Sequence, residues 1–331
     1  MEPDRLYIKI IEITKLFGNQ NIRWHLRSDV NILGGVNGSG KSTILKACYE
    51  LLSKGGVFDI KCNRLIDSIS ITLSNNSVIT WKHSSIKSLG EMDSHFLEGS
   101  NQIVNDSKYG RVFYNQVQAT TTDGTQCRPE EVMPGVIVEN INSFEQQIAD
   151  AIRLSKLPDE NREEDSTMLD ALIKEEVNHR NEIYSGAYET LMMLLREQKR
   201  IEFNSHPDIA ESFRLATVCG DFFTGYGIAL LNKMEFEKGG ATIPYTHLSV
   251  GQKQLLLIFL KVTNTQNKPA IFFMDEPDLG MHVDWKKKLL KTINKLNPNI
   301  QQIVSTHAPS MVTDWGNCVK EIGQITLTGE D

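Results

Sequence analysis

Short apolar runs separated by polar turns mark the N-terminal part of the chain. Residues 7–13 are rich in β-branched side chains, and the apolar run 30–33 ends in a glycine pair. Runs of about four to eight such residues are typical of buried strands. Two further runs, 69–73 and 78–81, flank Asn75-Asn76 and predict a β-hairpin.

The segment after residue 33 changes from strand to helix spacing. Residues 42–52 carry apolar side chains at helical intervals, and Gly55-Gly56 is expected to end that helix. Residues 84–108 are polar and weakly patterned, which predicts a loop region. Another strand is predicted at 111–117.

The middle of the chain is helical in character. Residues 143–203 are rich in Glu, Arg, Lys, Leu and Ile, with a polar break at 158–165. The spacing in 168–203 favours a packed helical hairpin over a sustained heptad coil. The predicted domains are therefore an N-terminal lobe at 1–142, a helical insertion at 143–215 and a C-terminal lobe at 216–331.

The C-terminal lobe alternates helix and strand. Ser249 is expected to cap a helix that runs to about Val262. A fully apolar strand follows at 270–274, then a helix at 283–296 and a strand at 302–305. This alternation predicts an α/β fold whose central sheet is parallel or mixed and is covered by helices on both faces.

The composition is that of an ordinary globular protein. The chain has 331 residues, enough for about two domains, with 40% hydrophobic and 23% charged residues. No apolar run approaches the ~20 residues that cross a bilayer, and no secretory leader is recognisable. Five cysteines without CxxC spacing predict reduced thiols rather than a zinc site or disulfides. We therefore expect a cytoplasmic protein without a membrane partner.

The net charge of −7 argues against a uniformly basic nucleic-acid binder. Two local basic stretches, 286–288 and 196–200, lie on predicted amphipathic helices. Such stretches are typical of solvated helix faces.

The segment Gly35–Ser42 has the pattern GxxxxGKS between a predicted strand and a predicted helix. Its glycines let backbone N–H groups surround phosphate oxygens, and the helix N-terminus adds positive potential. Lys41 is expected to reach the β- and γ-phosphates, and Ser42 to ligate Mg²⁺. The purely structural alternative is a glycine-rich turn that only caps a helix. The predicted phosphate contacts are Asn37, Gly38, Ser39, Gly40, Lys41, Ser42 and Thr43.

Two adjacent carboxylates follow the apolar strand 270–274. Asp275 is placed to hold Mg²⁺ through water, and Glu276 to polarise the attacking water as general base. A pair of helix-capping carboxylates is the alternative. His307 follows the next predicted strand, where it can hydrogen-bond the γ-phosphate.

Leu248-Ser249-Val250-Gly251-Gln252 opens the next predicted helix. Ser249, Gly251 and Gln252, with the free N–H groups of that helix, form a second anion site. The same chain has no need of two such sites. Ser249 therefore either completes an ATP site on another copy or is an ordinary N-cap.

Gln116, placed just after residues 111–114 of a predicted strand, is a candidate to contact Mg²⁺ or the water. Gln118 is nearly as good a candidate, and a plain loop glutamine remains an alternative. Asp278 is expected at the seam between two copies.

These motifs resemble the ATP-binding-cassette (ABC) ATPases that are not transporters, the branch containing Rad50, SMC, and OLD-type and retron-associated bacterial ATPases. Gly35–Ser42 matches the Walker A motif, Asp275-Glu276 Walker B, Pro277-Asp278 the D-loop and His307 the switch histidine. Residues 248–252 resemble the LSGGQ signature, with Val250 in place of a glycine. The resemblance covers 1–130 and 216–325. It implies an ABC-type head that uses ATP and Mg²⁺ and pairs head to tail as a homodimer.

The leading hypothesis is an ATPase whose ATP-gated dimer controls a separate effector protein, such as a nuclease, in bacterial anti-phage defence. The defence setting follows from the resemblance alone. In OLD-type enzymes a nuclease domain follows the ATPase. Only about two dozen residues follow His307 in this sequence, so we expect any nuclease to be a separate chain. The alternatives are a Rad50/SMC-like ATPase that binds nucleic acid and a transporter ATP-binding subunit. The transporter alternative is disfavoured, because the signature lies more than 200 residues after Walker A, about twice the spacing expected in that family.

Overall fold

The structure is a computed structural model that describes residues 5–53, 65–86, 102–106, 111–142, 167–197, 205–223, 227–230 and 233–327. Its strands are β1 (Ile8–Leu16), β2 (Gln20–His25), β3 (Val30–Gly34), β4 (Ser68–Leu73), β5 (Val78–Ile86), β6 (Gln102–Asp106), β7 (Arg111–Thr120), β8 (Gln126–Cys127), β9 (Ile137–Asn142), β10 (Gly227–Leu230), β11 (Glu235–Lys238), β12 (Ala241–Pro244), β13 (Ala270–Asp275), β14 (Ile300–Ser305) and β15 (Val319–Glu321). Its helices are α1 (Lys41–Ser53), α2 (Pro129–Val132), α3 (Met168–Ile183), α4 (Ser185–Arg196), α5 (Pro207–Phe222), α6 (Val250–Asn264), α7 (Val283–Leu296), α8 (Pro309–Val312) and α9 (Ile322–Ile325).

The first sheet is antiparallel and has the order β2-β1-β4-β5-β7-β6, with β8 paired to β7. Strand β4 alternates buried and half-buried residues along its length, as expected of a strand with one face on the core. Strands β4 and β5 form the predicted hairpin, with Thr72 opposite Val78. This prediction is confirmed.

The second sheet is parallel and has the order β15-β3-β14-β13-β9. Every residue of β13 and β14 is buried, because both faces of a parallel sheet are covered. Successive residues of β13 therefore serve two cores. Ile271 and Phe273 face α1 and the first sheet, whereas Phe272 and Met274 face α3, α5, α6 and α7. The predicted α/β fold with a mixed and parallel sheet arrangement is confirmed.

Helices α3, α4 and α5 occupy the described part of the predicted insertion. The helical stretch is interrupted at Tyr184, so residues 168–196 form two helices, α3 and α4. Helix α5 crosses the predicted boundary at 215/216 without interruption. Residues 143–166 lie outside the described residues, and the division of the chain into 1–142, 143–215 and 216–331 remains a prediction.

The predicted loop at 84–108 is wrong in part. Strand β5 continues to Ile86, and β6 pairs antiparallel with β7. The pairing supplies the backbone hydrogen bonds that the weak local pattern did not reveal. The rest of that stretch, the glycine pair at 55–56 and Cys62 lie outside the described residues.

The described cysteines, Cys48, Cys127, Cys219 and Cys318, are free thiols. None of the helices that could be examined is long and apolar enough to pass through a bilayer.

Candidate functional site

The Gly35–Ser42 loop leaves β3 and leads into α1 at the carboxyl end of the parallel sheet. Beside it lies a cavity of about 420 Å³, which also reaches the ends of β13 and β14. Its lining contains nine of the residues predicted to bind ATP or act on it. They are Asn37, Gly38, Gly40, Lys41, Ser42, Thr43, Asp275, Glu276 and His307.

Lys41 is nearly buried, and its ammonium group is held inside the loop. Nζ donates to the carbonyl oxygens of Gly35 at 3.1 Å and Val36 at 3.2 Å, and lies 2.9 Å from Nε2 of His307. Burial lowers the pKa of Lys41, while the carboxylates of Glu276 and Asp275 oppose that shift. A phosphate group entering here would replace weak carbonyl contacts with charged ones.

Gly40 must be a glycine for two reasons. Its φ is +104°, and a Cβ atom there would lie 3.0 Å from Cε2 of Phe17 and 3.1 Å from Cδ2 of Leu16. The loop can therefore pack against the turn after β1 only without a side chain. This contact places the half-exposed ring of Phe17 at the rim of the cavity.

Asp275 and Glu276 end β13 in very different environments. Asp275 is buried, and its Oδ1 accepts a hydrogen bond from Oγ of Ser305 on the neighbouring strand. Glu276 has a φ of +48°, a left-handed conformation that is uncommon for a non-glycine residue. Its N–H donates to the carbonyl of Ser305 at 3.0 Å, which holds this strained turn in place.

The carboxylate of Glu276 lies next to His307. Nε2 of His307 is 3.4 Å from Oε1 of Glu276, and the His307 N–H donates to Oε2 at 3.4 Å. Burial and then the charge of Asp278 raise the pKa of Glu276, against the opposing effects of the His307 N–H and Lys41. A raised pKa makes this carboxylate a stronger base, which suits a group that accepts a proton from water.

The carboxylate of Asp278 points into the protein. It accepts hydrogen bonds from Oγ1 of Thr306 and Nζ of Lys286, each at 2.8 Å, and the residue is almost completely buried. The expected position of Asp278 at a seam between two copies remains a prediction. Within one chain its side chain ties the loop after Glu276 to the residue before His307.

Ser249 caps α6, as predicted. Its Oγ accepts from the N–H of Gln252 at 3.4 Å, and Oε1 of Gln252 accepts from the N–H of Ser249 at 2.9 Å, which forms a capping box. Gly251 packs so closely that a Cβ atom would lie 2.4 Å from the carbonyl oxygen of Gly280. Among the described residues that line the cavity beside Lys41, none comes from 249–252.

Gln116 lies within β7, opposite Lys82, rather than in a loop after a strand. The predicted loop position is therefore wrong, because β7 runs on to Thr120. Gln118 lies on the same strand, opposite Thr80, and is exposed. The contact of either glutamine with Mg²⁺ remains a prediction.

Ser39 faces the other side of the loop. It lines a neighbouring cavity of about 870 Å³ together with Gly35 and Val36. The sequence reasoning missed Phe17 and Leu279, which do line the Lys41 cavity. For Phe17, the Phe17-Gly18 pair between two predicted strands could have indicated a turn near the site. Nothing in the sequence indicated Leu279.

The donor set fits Mg²⁺ bound together with a nucleotide. The Ser42 hydroxyl and the Asp275 carboxylate line the same cavity, and hard oxygen donors are what Mg²⁺ prefers. No group of three or more His, Cys, Asp and Glu side chains in the described ranges could hold a metal by itself. Mg²⁺ bound with a nucleotide usually takes one or two protein oxygen ligands and completes its shell with phosphate and water.

Two curated relatives were found by sequence. The chain is 23% identical over 325 residues to the Septu protein PtuA of Bacillus thuringiensis, an alignment that covers 93% of this chain and 73% of that protein. It is 31% identical over 87 residues to the Retron Vc95 probable ATPase of Vibrio cholerae serotype O1 biovar El Tor. That alignment covers 23% of this chain and 17% of the retron protein.

Solved SMC heads resemble the chain in three dimensions. An Smc head bound to the C-winged helix domain of ScpA has 16% identity and a TM-score of 0.49, with 98% of each chain covered. The SMC head domain from Thermotoga maritima has 14% identity and a TM-score of 0.46, with coverage of 92% of this chain and 91% of that one. The family model described as RecF/RecN/SMC N terminal domain matches residues 7–325. Over nearly its whole length, the chain belongs to the RecF/RecN/SMC N-terminal domain family.

Proposed function

We propose that this protein is an ATPase that hydrolyses ATP to ADP and phosphate in a site shared between two copies of the chain. The observation that carries the proposal is the gathering of Lys41, Glu276 and His307 around one cavity while the Ser249 helix end lies outside its described lining. In this proposal each chain carries both halves of an ATP site, and the two halves lie apart from each other.

Binding would begin in the loop before α1. The first N–H groups of α1 have no intrahelical acceptor and favour an anion. Lys41 would exchange its contacts with the Gly35 and Val36 carbonyls for the β- and γ-phosphates. The ring of Phe17 offers a flat apolar face to the purine base.

Hydrolysis would follow in line with the γ-phosphate. Mg²⁺, held by Ser42 and, through water, by Asp275, would neutralise the charge that develops on the phosphate oxygens. Glu276 would accept a proton from the attacking water, and its strained position at the end of β13 aims the carboxylate into the cavity. His307 would donate a hydrogen bond to the γ-phosphate.

Pairing of two copies would complete the site. Ser249, Gly251 and Gln252 of one copy would cover the γ-phosphate held by the other, so each ATP joins two helix N-termini. Exposed apolar side chains near the phosphate loop, the signature and the loop after Glu276 support a surface that a second copy covers when ATP is bound. Val36 is 77% exposed, Val250 54% and Leu279 37%. Loss of the γ-phosphate would weaken both seams together.

We further propose that this ATP-gated homodimer controls a separate effector protein in bacterial anti-phage defence. The similarity to a Septu protein and to a retron's probable ATPase supports this setting. The effector remains to be identified, and a nuclease is the kind of protein that the resemblance suggests.

The test is the variant Glu276→Gln, which keeps the phosphate contacts and removes the base. With Mg-ATP it should bind nucleotide, stop hydrolysis and double in mass by light scattering. The matched control is Glu276→Gln combined with Lys41→Ala, which should stay monomeric at the same ATP concentration because its affinity for the triphosphate is about a hundredfold lower. A monomer for Glu276→Gln at saturating Mg-ATP would contradict the shared site.

A further inference from the structure

Helix α3 lies along α6, the helix that begins at Ser249, and polar contacts join them. Nη1 of Arg180 donates to Oγ1 of Thr263 at 3.0 Å, and Nδ2 of Asn264 donates to the carbonyl of Glu176 at 3.0 Å. Lys261 donates to Oε1 of Glu176 at 2.8 Å. These contacts fix the C-terminal half of α6 against α3.

A buried ion pair fixes the other end of α6. Nζ of Lys253 lies 2.8 Å from Oδ1 of Asp170, and the side chains are 9% and 3% exposed. Lys253 follows Ser249 by four residues, so both residues lie on the same face of the first turn of α6. The ion pair of Lys253 with Asp170 is therefore next to the Ser249 cap. Water does not screen such a pair, and removing one partner leaves an uncompensated charge.

The carboxylate of Asp170 is itself held in place. Its Oδ2 accepts from the N–H of Thr167 at 3.0 Å and from Oγ1 of Thr167 at 2.8 Å, within the capping box of α3. Asp170 therefore joins the first turn of α3 to the first turn of α6. The charge of Asp170 also acts on Tyr245, which lies just before the signature. Burial raises the pKa of Tyr245, and the charge of Asp170 adds to that rise.

The opposite flank of the signature is fixed by backbone. Gly251 contacts the Gly280 carbonyl without room for a side chain, and Gly280 belongs to the loop that follows Glu276. The first turn of α6 is thus clamped between its own catalytic loop on one side and Asp170 on the other. Its direction depends on both contacts.

We infer that Asp170 is a positioning residue, which aims the Ser249 end of α6 at an ATP molecule held by a second copy of the chain. The inference rests on the proposed function, because it presumes that the Ser249 end completes a partner's site. Asp170 does not line the described cavity beside Lys41 and acts through Lys253. A displacement of α3 would therefore reach the site of the partner rather than the site of its own chain.

Mixed dimers separate these two sites. A Lys41→Ala chain keeps the signature but cannot hold ATP, and a Ser249→Arg chain holds ATP but has a blocked signature. Each alone should be inactive, and an equal mixture should regain hydrolysis at composite sites built from both. Asp170→Asn is then added either to the Lys41→Ala chain, which donates the signature, or to the Ser249→Arg chain, which donates the phosphate loop.

Asp170→Asn on the signature-donating chain should lower the rate of the mixture about tenfold, since a misplaced group of this kind can cost up to about a hundredfold. The same substitution on the loop-donating chain should leave the rate within about twofold. The ATP affinity of the Ser249→Arg chain, measured by calorimetry, should be the same with and without Asp170→Asn. Glu176→Gln is the matched control. It removes the negative charge from a half-buried contact at the far end of α6, where Lys261 keeps its ion pair with Glu139, and it should have little effect in either placement.

Equal losses in the two placements would overturn the inference, because a general folding defect does not depend on which half of the site a chain donates. A comparable loss with Glu176→Gln on the signature-donating chain would also overturn it. No activity in the mixture of Lys41→Ala and Ser249→Arg chains would overturn the shared site itself, and the inference with it.

Discussion

Nζ of Lys41 lies 2.9 Å from Nε2 of His307, across the mouth of the loop that is expected to hold phosphate. An ammonium group only donates hydrogen bonds, so Nε2 must accept, which requires an imidazole whose proton sits on Nδ1. Lys41 and His307, the two side chains expected to contact the γ-phosphate, thus interact with each other in the structure. In the proposed site, ATP binding would have to separate Lys41 from His307.

Lys41→Ala should weaken ATP binding about a hundredfold, because hydrogen bonds between charged groups contribute up to about 3 kcal/mol each. Isothermal calorimetry with Mg-ATP measures the change. The exposed Lys9→Ala, on β1, is the control and should bind as the wild type does. Unchanged affinity in Lys41→Ala would refute the assignment of the loop.

Glu276→Gln should raise the melting temperature at pH 7 in the absence of nucleotide. The pKa of Glu276 is raised above its ordinary value of 4.5, mainly by burial and by the charge of Asp278, so ionisation of Glu276 destabilises the folded state. Wild type therefore loses stability as pH rises from 4.5 through the raised pKa, and the glutamine variant does not.

The gap in melting temperature should close in acid, where Glu276 is protonated in both the folded and unfolded states. Scanning calorimetry at pH 7 and near pH 4 tests this sign. The exposed Glu175→Gln, on α3, should melt with the wild type at both pH values. A gap that grows in acid would show that burial does not govern this carboxylate.

Gly251→Ala should destabilise the protein and lower ATPase activity, because its Cβ atom would lie 2.4 Å from the Gly280 carbonyl oxygen. Overpacking of this kind costs about 1–3 kcal/mol. Gly220→Ala is a matched helical control with nothing within 4 Å of the added atom, and it should stabilise by about 0.5–1 kcal/mol. Urea unfolding of both variants gives the comparison, and equal effects would contradict the close fit.

Asp278→Ala should lower the free energy of unfolding by about 3 kcal/mol, because it leaves Lys286 and Thr306 without their buried acceptor. Asp314→Ala breaks an ion pair of 2.6 Å with Lys291 whose side chains are at least half exposed, so it should cost less than about 1 kcal/mol. Denaturant titration distinguishes the two. A small loss for Asp278→Ala would mean that its carboxylate is not essential to the loop.

The local pattern of the sequence predicted those features that local physics controls. Helix α7 begins and ends at the predicted residues, because its apolar stripe and its flanking turns are encoded within fourteen positions. The strand β13 and the Ser249 cap were predictable for the same reason. The phosphate loop was recognisable because its glycines and Lys41 must stand at fixed spacing.

Contacts between distant parts of the chain could not be predicted in this way. The left-handed turn of Glu276 depends on Ser305, and the burial of Asp278 depends on Lys286 and Thr306. Strand β6 has a weak pattern of its own and is defined by its pairing with β7. Such partnerships are decided when the elements pack, and no periodicity records them.

The strand that carries the phosphate loop pairs with two strands from the C-terminal part of the chain. β3 lies between β14 and β15, two strands that the ribosome makes almost three hundred residues later. During synthesis, the sheet on both sides of β3 therefore stays incomplete until residue 321 has left the ribosomal exit tunnel. If the proposed function is correct, a nascent chain would not bind nucleotide firmly before that moment and would not join a finished dimer.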